Sequence, residues 1–232
     1  MPPQLRKKTP LTQPTILFDL DGTLTDSRAG IFGCLHRAMR ALGHAMDETE
    51  DLTWAIGPPT EDMFARLLAP FGDTDVDRAV TLYRRCYDER GWRENTPYDG
   101  IGAALDAFAA AGMPLFVATS KRVDFARRIV THFGFGQFQA VYGAEPGRLR
   151  SHKPELIGWI LQQHAIDPAR AVMIGDRSFD ITGAHANRLR AIGVTWGYGT
   201  RGELEQAGAD GIAESPDELL GLALALCRHD RE

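Results

Sequence analysis

Acidic residues follow two short apolar runs of the chain, and their spacing favours metal and phosphate chemistry. The run at 16–18 is followed by Asp19-Leu20-Asp21-Gly22-Thr23, and the run at 171–174 by Gly175-Asp176, with Asp180 four residues further on. Carboxylates that lie close together repel one another, and a hard divalent cation relieves that repulsion. Because Mg²⁺ prefers oxygen ligands, these residues predict a magnesium site where the two runs meet.

A hydroxyl group and one or two ammonium groups are predicted at the same place. Thr119-Ser120-Lys121 follows the apolar run at 114–118, and Lys153-Pro154 begins the predicted helix before the run at 171–174. A lysine supplies a point charge for a phosphate, and a threonine hydroxyl supplies a hydrogen-bond donor. Together with the carboxylates, these groups indicate a site for a phosphate ester.

The elements that must position these residues are alternating strands and helices. Short apolar runs with polar ends are typical of buried parallel strands, and they lie at 16–18, 114–118, 138–142, 171–174 and 189–194. Helical periodicity and helix stop signals lie between and after them, at 102–111, 123–133, 154–164, 180–187 and 216–227. The pattern predicts an α/β fold, a doubly wound and mostly parallel sheet that binds ligands at the carboxyl ends of its strands.

The region between the first two strands breaks this alternation. It contains no convincing strand, and it predicts helices at 31–42, 61–68 and 76–90, with a break at Gly57-Pro58-Pro59. We therefore expect a core of residues 15–28 and 95–232 and a second, small all-helical domain of residues 29–94. Residues 1–14 are polar and are predicted to form a flexible tail.

The charge and the cysteine content disfavour several classes of binding partner and site. The net charge is −5, which disfavours a nucleic-acid or anionic-membrane partner, and no apolar run approaches the length of a membrane span. The three cysteines, Cys34, Cys86 and Cys227, show no metal-binding or disulfide spacing. We expect them to be small buried apolar side chains in a cytoplasmic protein. The sequence does not predict an oligomeric state.

Four motifs in order resemble those of haloacid dehalogenase (HAD) superfamily phosphatases with a helical, C1-type cap, close to the phosphoglycolate phosphatase group. The first is ILFDLDGT at 16–23, and the second is the strand that ends in Thr119. The third is Lys153-Pro154, and the fourth is GDRSFD at 175–180. The resemblance covers about residues 15–220, and it implies an α/β core with the insert acting as a cap.

The resemblance also implies roles for the acidic residues. Asp19 would attack phosphorus and become an aspartyl-phosphate, and Asp21 would protonate the leaving alcohol and then activate water. Mg²⁺ would be held by Asp19, the backbone carbonyl of Asp21 and Asp176. Asp180 would reach the ion through water or orient its neighbours, although capping of the following helix is an alternative role for it.

Further positions would hold the phosphoryl group. Thr119 and Lys153 would bind its oxygens and stabilise the developing charge, with Ser120 beside them. Gly22 would let the backbone turn closely beneath the phosphate. For Lys121 two interpretations stay open: its side chain contacts the phosphate, or it is exposed to solvent.

The substrate is predicted to be a small phosphorylated metabolite, with 2-phosphoglycolate as the first choice. A 5'-nucleotidase or a broad-specificity phosphatase is the alternative, and a catalytically idle binding protein is a second one. The second Asp of the first motif argues against a dehalogenase, which needs no acid for an alkoxide. The predicted cap contains no lysine, which argues against a Schiff-base mechanism.

Overall fold

The structure is a computed structural model that describes residues 14–47 and 49–228. The predicted tail therefore lies almost entirely outside the described residues. Within these ranges, no helix combines the length and the apolar character that crossing a lipid bilayer requires.

Six parallel strands form the central sheet, and two short strands form an antiparallel pair beside it. In chain order the strands are β1 Thr15–Phe18, β2 Thr25–Asp26, β3 Thr96–Pro97, β4 Leu115–Arg122, β5 Phe138–Ala144, β6 Ala171–Gly175, β7 Arg190–Val194 and β8 Gly211–Ala213. The sheet order is β5-β4-β1-β6-β7-β8, and β2 pairs with β3. Because β1 lies in the middle, Phe18 is aligned with both Val117 and Ile174, and the ends of β1, β4 and β6 meet at one edge.

Helices cover both faces of this sheet. Three helices lie between β2 and β3 in the chain: α1 Arg28–Ala41, α2 Thr60–Leu68 and α3 Val76–Glu89. The helices that cover the sheet are α4 Ile101–Ala110, α5 Val123–His132, α6 Lys153–His164, α7 Ser178–Ala186, α8 Arg201–Gln206 and α9 Leu219–Arg228. Side chains of β1 alternate between two cores, because successive residues of a strand point to opposite faces. Phe18 packs with Phe108 of α4, whereas Leu17 packs with residues of α6 and α7. The predicted α/β fold is confirmed.

The segment between β2 and β3 is helical and has an apolar cluster of its own. Leu35 of α1, Phe64 of α2 and Tyr87 of α3 are almost fully buried in it. The predicted boundaries of a cap at 29–94 stay a prediction, but we refer below to α1–α3 and their connections as the cap. The remaining residues are referred to as the core.

The expectation for two of the cysteines is wrong. Cys34 of α1 and Cys86 of α3 form a disulfide, with their Cα atoms 5.4 Å apart. Cys227 is half-buried in α9. The disulfide joins two helices through cysteines that are 52 positions apart in the sequence, and no local cysteine spacing indicates such a pair.

Candidate active site

The turn after β1 brings the first acidic motif against the second. Asp19 continues the sheet by donating its backbone N–H to the carbonyl of Ile174, at 2.9 Å. Gly22 has a φ of +86°, and a Cβ atom there would lie only 2.2 Å from Oδ2 of Asp176. Glycine is therefore required both for the backbone conformation and for the approach to the Asp176 carboxylate.

Two partners from distant parts of the chain hold the Asp176 carboxylate, which is fully buried after β6. Its Oδ1 accepts a hydrogen bond from the Thr23 hydroxyl at 3.2 Å, and its Oδ2 accepts one from the backbone N–H of Tyr198 at 2.8 Å. These contacts fix the carboxylate at the edge where Asp19 emerges.

Lys153 connects the other two buried carboxylates. Its Nζ lies 2.8 Å from Oδ1 of Asp19 and 2.6 Å from Oδ1 of Asp180, and it donates to the carbonyl of Ala118 at 2.7 Å. The second Asp180 oxygen accepts the backbone N–H of Arg177 at the start of α7. Asp180 therefore caps that helix and also lies in the acidic cluster.

Asp19, Asp176 and Asp180 form a group with the geometry of a metal site. One carboxylate oxygen from each lies within 4.8 Å of the others, and all three residues are buried. Burial and neighbouring carboxylates raise the pKa of Asp19 to about 6, although Lys153 opposes this, and burial raises the pKa of Asp176 well above its usual value. Burial lowers the pKa of Lys153, but the carboxylates of Asp180 and Asp19 outweigh it and leave that pKa raised.

Residues 119–121 lie where β4 passes this cluster. The Thr119 hydroxyl is buried and accepts the backbone N–H of Lys121 at 3.2 Å. The Lys121 side chain is buried rather than exposed to solvent, and its contact with a phosphate stays a prediction. Its Nζ binds both carboxylate oxygens of Asp21, at 2.9 and 2.7 Å, and lies 4.6 Å from the ring centroid of Tyr87 in the cap. Asp21 is therefore paired with Lys121 and stands apart from the three clustered carboxylates.

An inner cleft lies between this edge of the core and the cap. We define it by Asp19, Asp21, Thr119, Ser120 and Lys121 on the core side and by Ala55–Pro58, Met63, Tyr83, Arg84 and Tyr87 on the cap side. Its volume is ≈ 50 Å³. On the cap side, Arg84 forms an ion pair with Glu61 at 2.8 Å. The core side therefore offers charged groups, and the cap side is mainly aromatic and apolar.

Sequence reasoning missed the loop after β7. A Cβ atom added at Gly197 would lie 2.3 Å from the carbonyl oxygen of Gly22, and one at Gly199 would lie 1.9 Å from that of Asp176. Between them, the Tyr198 hydroxyl donates to Oδ1 of Asp26 at 2.9 Å and accepts the backbone N–H of Ser27 at 2.7 Å. Two glycines around an aromatic residue at a strand end are the only local signal of this packing.

Arg177 was also missed, and it links the core to the cap. Its guanidinium donates to the backbone carbonyls of Thr53, at 3.3 Å, and Ile56 in the cap, and to Glu203 of the core at 3.0 Å. The segment it holds is the one that lines the inner cleft.

The sequence profile described as "Haloacid dehalogenase-like hydrolase" matches residues 16–194, which contain all four motifs. The chain belongs to the haloacid dehalogenase-like hydrolase family. The predicted family membership is therefore confirmed, and the residues gathered at the sheet edge are those of the family's motifs.

Relatives within the family carry different names. A 5'-nucleotidase of Pseudomonas aeruginosa is 41% identical over 84% of this chain and 88% of its own length. The tyrosine-protein kinase PtkA of Mycobacterium tuberculosis is 40% identical over 79% of this chain but only 62% of its own length. A phosphoglycolate phosphatase of Photobacterium profundum is 28% identical over 91% of this chain and 96% of its own.

The fold is shared with a crystal structure described as a predicted phosphatase from Clostridium acetobutylicum. The two are 36% identical, with a TM-score of 0.84 over 92% of this chain and 99% of the other.

Proposed function

We propose that the protein is a Mg²⁺-dependent phosphatase that hydrolyses a phosphate monoester through an aspartyl-phosphate at Asp19. The observation that carries this proposal is the buried group of Asp19, Asp176 and Asp180, with Lys153 bridging two of its members. Family membership and relatives named as phosphatases support it.

The donor set fits a hard divalent cation. Three carboxylates and one ammonium group leave an excess of two negative charges in a buried space. Burial disfavours that charge, as the raised pKa values of Asp19 and Asp176 indicate, and a divalent cation would balance it. When bound there, Mg²⁺ would polarise phosphoryl oxygens and neutralise the charge that develops on them.

Each motif residue acts in one part of the proposed reaction. One carboxylate oxygen of Asp19 forms a bond to phosphorus as the bond to the leaving oxygen breaks. Asp21 gives that oxygen a proton, and later takes one from the water that attacks the aspartyl-phosphate. Thr119, Lys153 and Ser120 hold the phosphoryl oxygens, and the turn at Gly22 keeps the backbone close to them.

Asp21 can donate a proton only if its pairing with Lys121 loosens. Both Asp21 oxygens are bound by the Lys121 ammonium group. We propose that an incoming phosphate ester takes up part of this lysine's hydrogen-bonding capacity. Because Lys121 also contacts the Tyr87 ring in the cap, the strength of its pairing with Asp21 depends on the position of the cap.

The substrate is proposed to be a small phosphorylated metabolite. Relatives named phosphoglycolate phosphatase and 5'-nucleotidase support the two predicted choices, 2-phosphoglycolate and a nucleoside 5'-monophosphate. The cytoplasmic location stays a prediction. Its support from unpaired cysteines is lost, because Cys34 and Cys86 form a disulfide.

A panel of phosphate esters, assayed with Mg²⁺ and with a chelator, tests this function. We expect Mg²⁺-dependent release of phosphate by the wild type, and a loss of at least about 10⁴-fold in Asp19→Asn, because the nucleophile has no substitute. Asp77→Asn, an exposed change on α3, is the matched control and should retain activity. A wild type without phosphatase activity that still binds phosphate esters would instead support the idle binding protein.

A further inference from the structure

A second cavity lies beside the inner cleft, at the outer side of the boundary between core and cap. We define this outer groove by Trp54, Asp62 and Arg66 of the cap and by His152, Lys153 and Phe179 of the core. Its volume is ≈ 580 Å³, against ≈ 50 Å³ for the inner cleft. A cavity needs about 10–15 Å³ of such volume to hold one water molecule, so the inner cleft has room for little more than a phosphoryl group.

The outer groove adjoins the phosphoryl site. Lys153, whose ammonium group lies 2.8 Å from Asp19, is part of its lining, and Ser120 lines both cavities. The cap segment Gly57-Pro58 forms a wall that is common to the two. A leaving group too large for the inner cleft would therefore pass this wall and lie in the outer groove.

Phe179 gives the groove a flat apolar surface. It is 40% exposed, although large apolar side chains are usually buried. The ring lies beside the backbone of Gly57, where an added Cβ atom would be 3.6 Å from it, and the Arg177 guanidinium carbon lies 5.8 Å from the ring centroid. An exposed aromatic ring that lines a groove is suited to stacking with a planar ligand.

The remaining lining combines a second aromatic ring with polar groups. The guanidinium carbon of Arg66 lies 3.8 Å from the ring centroid of Trp54, so this cation is held against the groove. His152 and Asp62 lie 3.8 Å apart and are both well exposed, which places a donor and an acceptor at the rim. Aromatic surfaces with a few polar groups are typical of sites for heteroaromatic rings. Trp54 is only partly buried in the cap.

From this continuity we infer that the outer groove binds the base of a nucleoside 5'-monophosphate whose phosphate lies in the inner cleft. The inference rests on the proposed phosphatase function and specifies its substrate class. A nucleotide fits better than an aryl phosphate, because the ribose can span the Gly57-Pro58 wall between phosphate and ring. Glycolate has no group that would use Phe179 or Trp54.

Steady-state kinetics with three substrates test the inference. We compare adenosine 5'-monophosphate, ribose 5-phosphate and 2-phosphoglycolate in the wild type and in Phe179→Ala. Loss of one stacking ring should raise KM for the nucleotide by about 10-fold and leave ribose 5-phosphate unchanged. Phe71→Ala removes an equally exposed ring, 42% against 40%, outside the groove, and should change neither KM.

A binding measurement separates the groove from the chemistry. Adenosine should inhibit the wild type competitively, and Phe179→Ala should weaken that inhibition by the same factor as it raises KM. If the wild type hydrolyses no ester, the proposed function fails, and calorimetric binding of adenosine 5'-monophosphate to both forms then tests the groove alone. The inference would be overturned if Phe179→Ala raised KM equally for all three substrates or did not raise it for the nucleotide. It would also be overturned if the nucleotide did not bind, or bound equally well to the wild type and to Phe179→Ala.

Discussion

The two sides of the inner cleft are built in different ways. On the core side, Asp19 lines the cleft and belongs to a cluster with Asp176, Asp180 and Lys153. All four are almost fully buried, and each is held by at least one further buried group or backbone atom. On the cap side, the lining is aromatic and apolar, with Arg84 half-buried on Glu61. Buried charges tolerate little change, whereas apolar surfaces can vary in shape at small cost. The core side is therefore suited to a fixed reaction, and the cap side to the choice of substrate.

This contrast predicts two classes of variant. Changes on the core side should lower turnover for every phosphate ester, and changes on the cap side should act mainly on KM or on stability.

The largest effect after loss of the nucleophile is expected for Lys153→Met. The change removes the ammonium group that binds Asp19, Asp180 and the carbonyl of Ala118. We expect kcat to fall by about 10²–10³-fold for all substrates, because an oxyanion-stabilising donor is lost. Stopped assays with saturating Mg²⁺ measure this. A loss confined to KM would show that Lys153 only binds substrate.

A smaller effect is expected for Asp176→Asn, and it should appear in the metal requirement. The amide keeps the shape of the side chain but removes a negative charge from the cluster. We expect the Mg²⁺ concentration for half-maximal rate to rise by at least about 10–100-fold, which a Mg²⁺ titration of the rate measures. An unchanged Mg²⁺ dependence would place the cation elsewhere.

Arg177→Ala tests the connection between the two sides. It removes the donors to Thr53 and Ile56 while leaving Asp176 in place. We expect KM to rise by about 10-fold with a smaller change in kcat, because the cap segment that lines the cleft loses its charged hydrogen bonds to the core. Arg177→Lys should restore part of the loss, and Arg85→Ala, an exposed cap change, should have no effect. A pure kcat effect would assign Arg177 to the chemistry on the core side.

The smallest effect on activity is expected for Cys86→Ser in the cap. The disulfide closes a segment of 52 positions, so its loss should lower the free energy of unfolding by about 2–4 kcal/mol. Urea denaturation measures this, with Cys227→Ser as the matched control. A reducing agent should destabilise the wild type and leave Cys86→Ser unchanged. Equal stability of the wild type in both conditions would contradict the contribution of the disulfide.

The core side could be predicted from the sequence because its residues follow strands. Parallel strands place their carboxyl ends at one edge, so Asp19, Thr119 and Asp176 could be brought together before any contact was known. Lys153 and Asp180 lie at helix starts that face the same edge.

Contacts between distant segments could not be predicted in this way. Gly197 packs against Gly22, 175 positions away in the chain, and Gly199 packs against Asp176, 23 positions away. No local periodicity encodes either contact. The same holds for the carbonyls that Arg177 binds in the cap. Strand β8 was missed because its three residues are too few to show a pattern.

The most direct test of the central claim is a rapid-quench experiment on Asp21→Asn with p-nitrophenyl phosphate. This substrate has a leaving group that needs no protonation, so attack by Asp19 should proceed while hydrolysis of the aspartyl-phosphate is slow. We predict a burst of one nitrophenolate per active site and a hydroxylamine-sensitive phosphoryl group on the peptide that contains Asp19. Linear product release without a burst, and with no phosphate on the protein, would contradict covalent catalysis by Asp19.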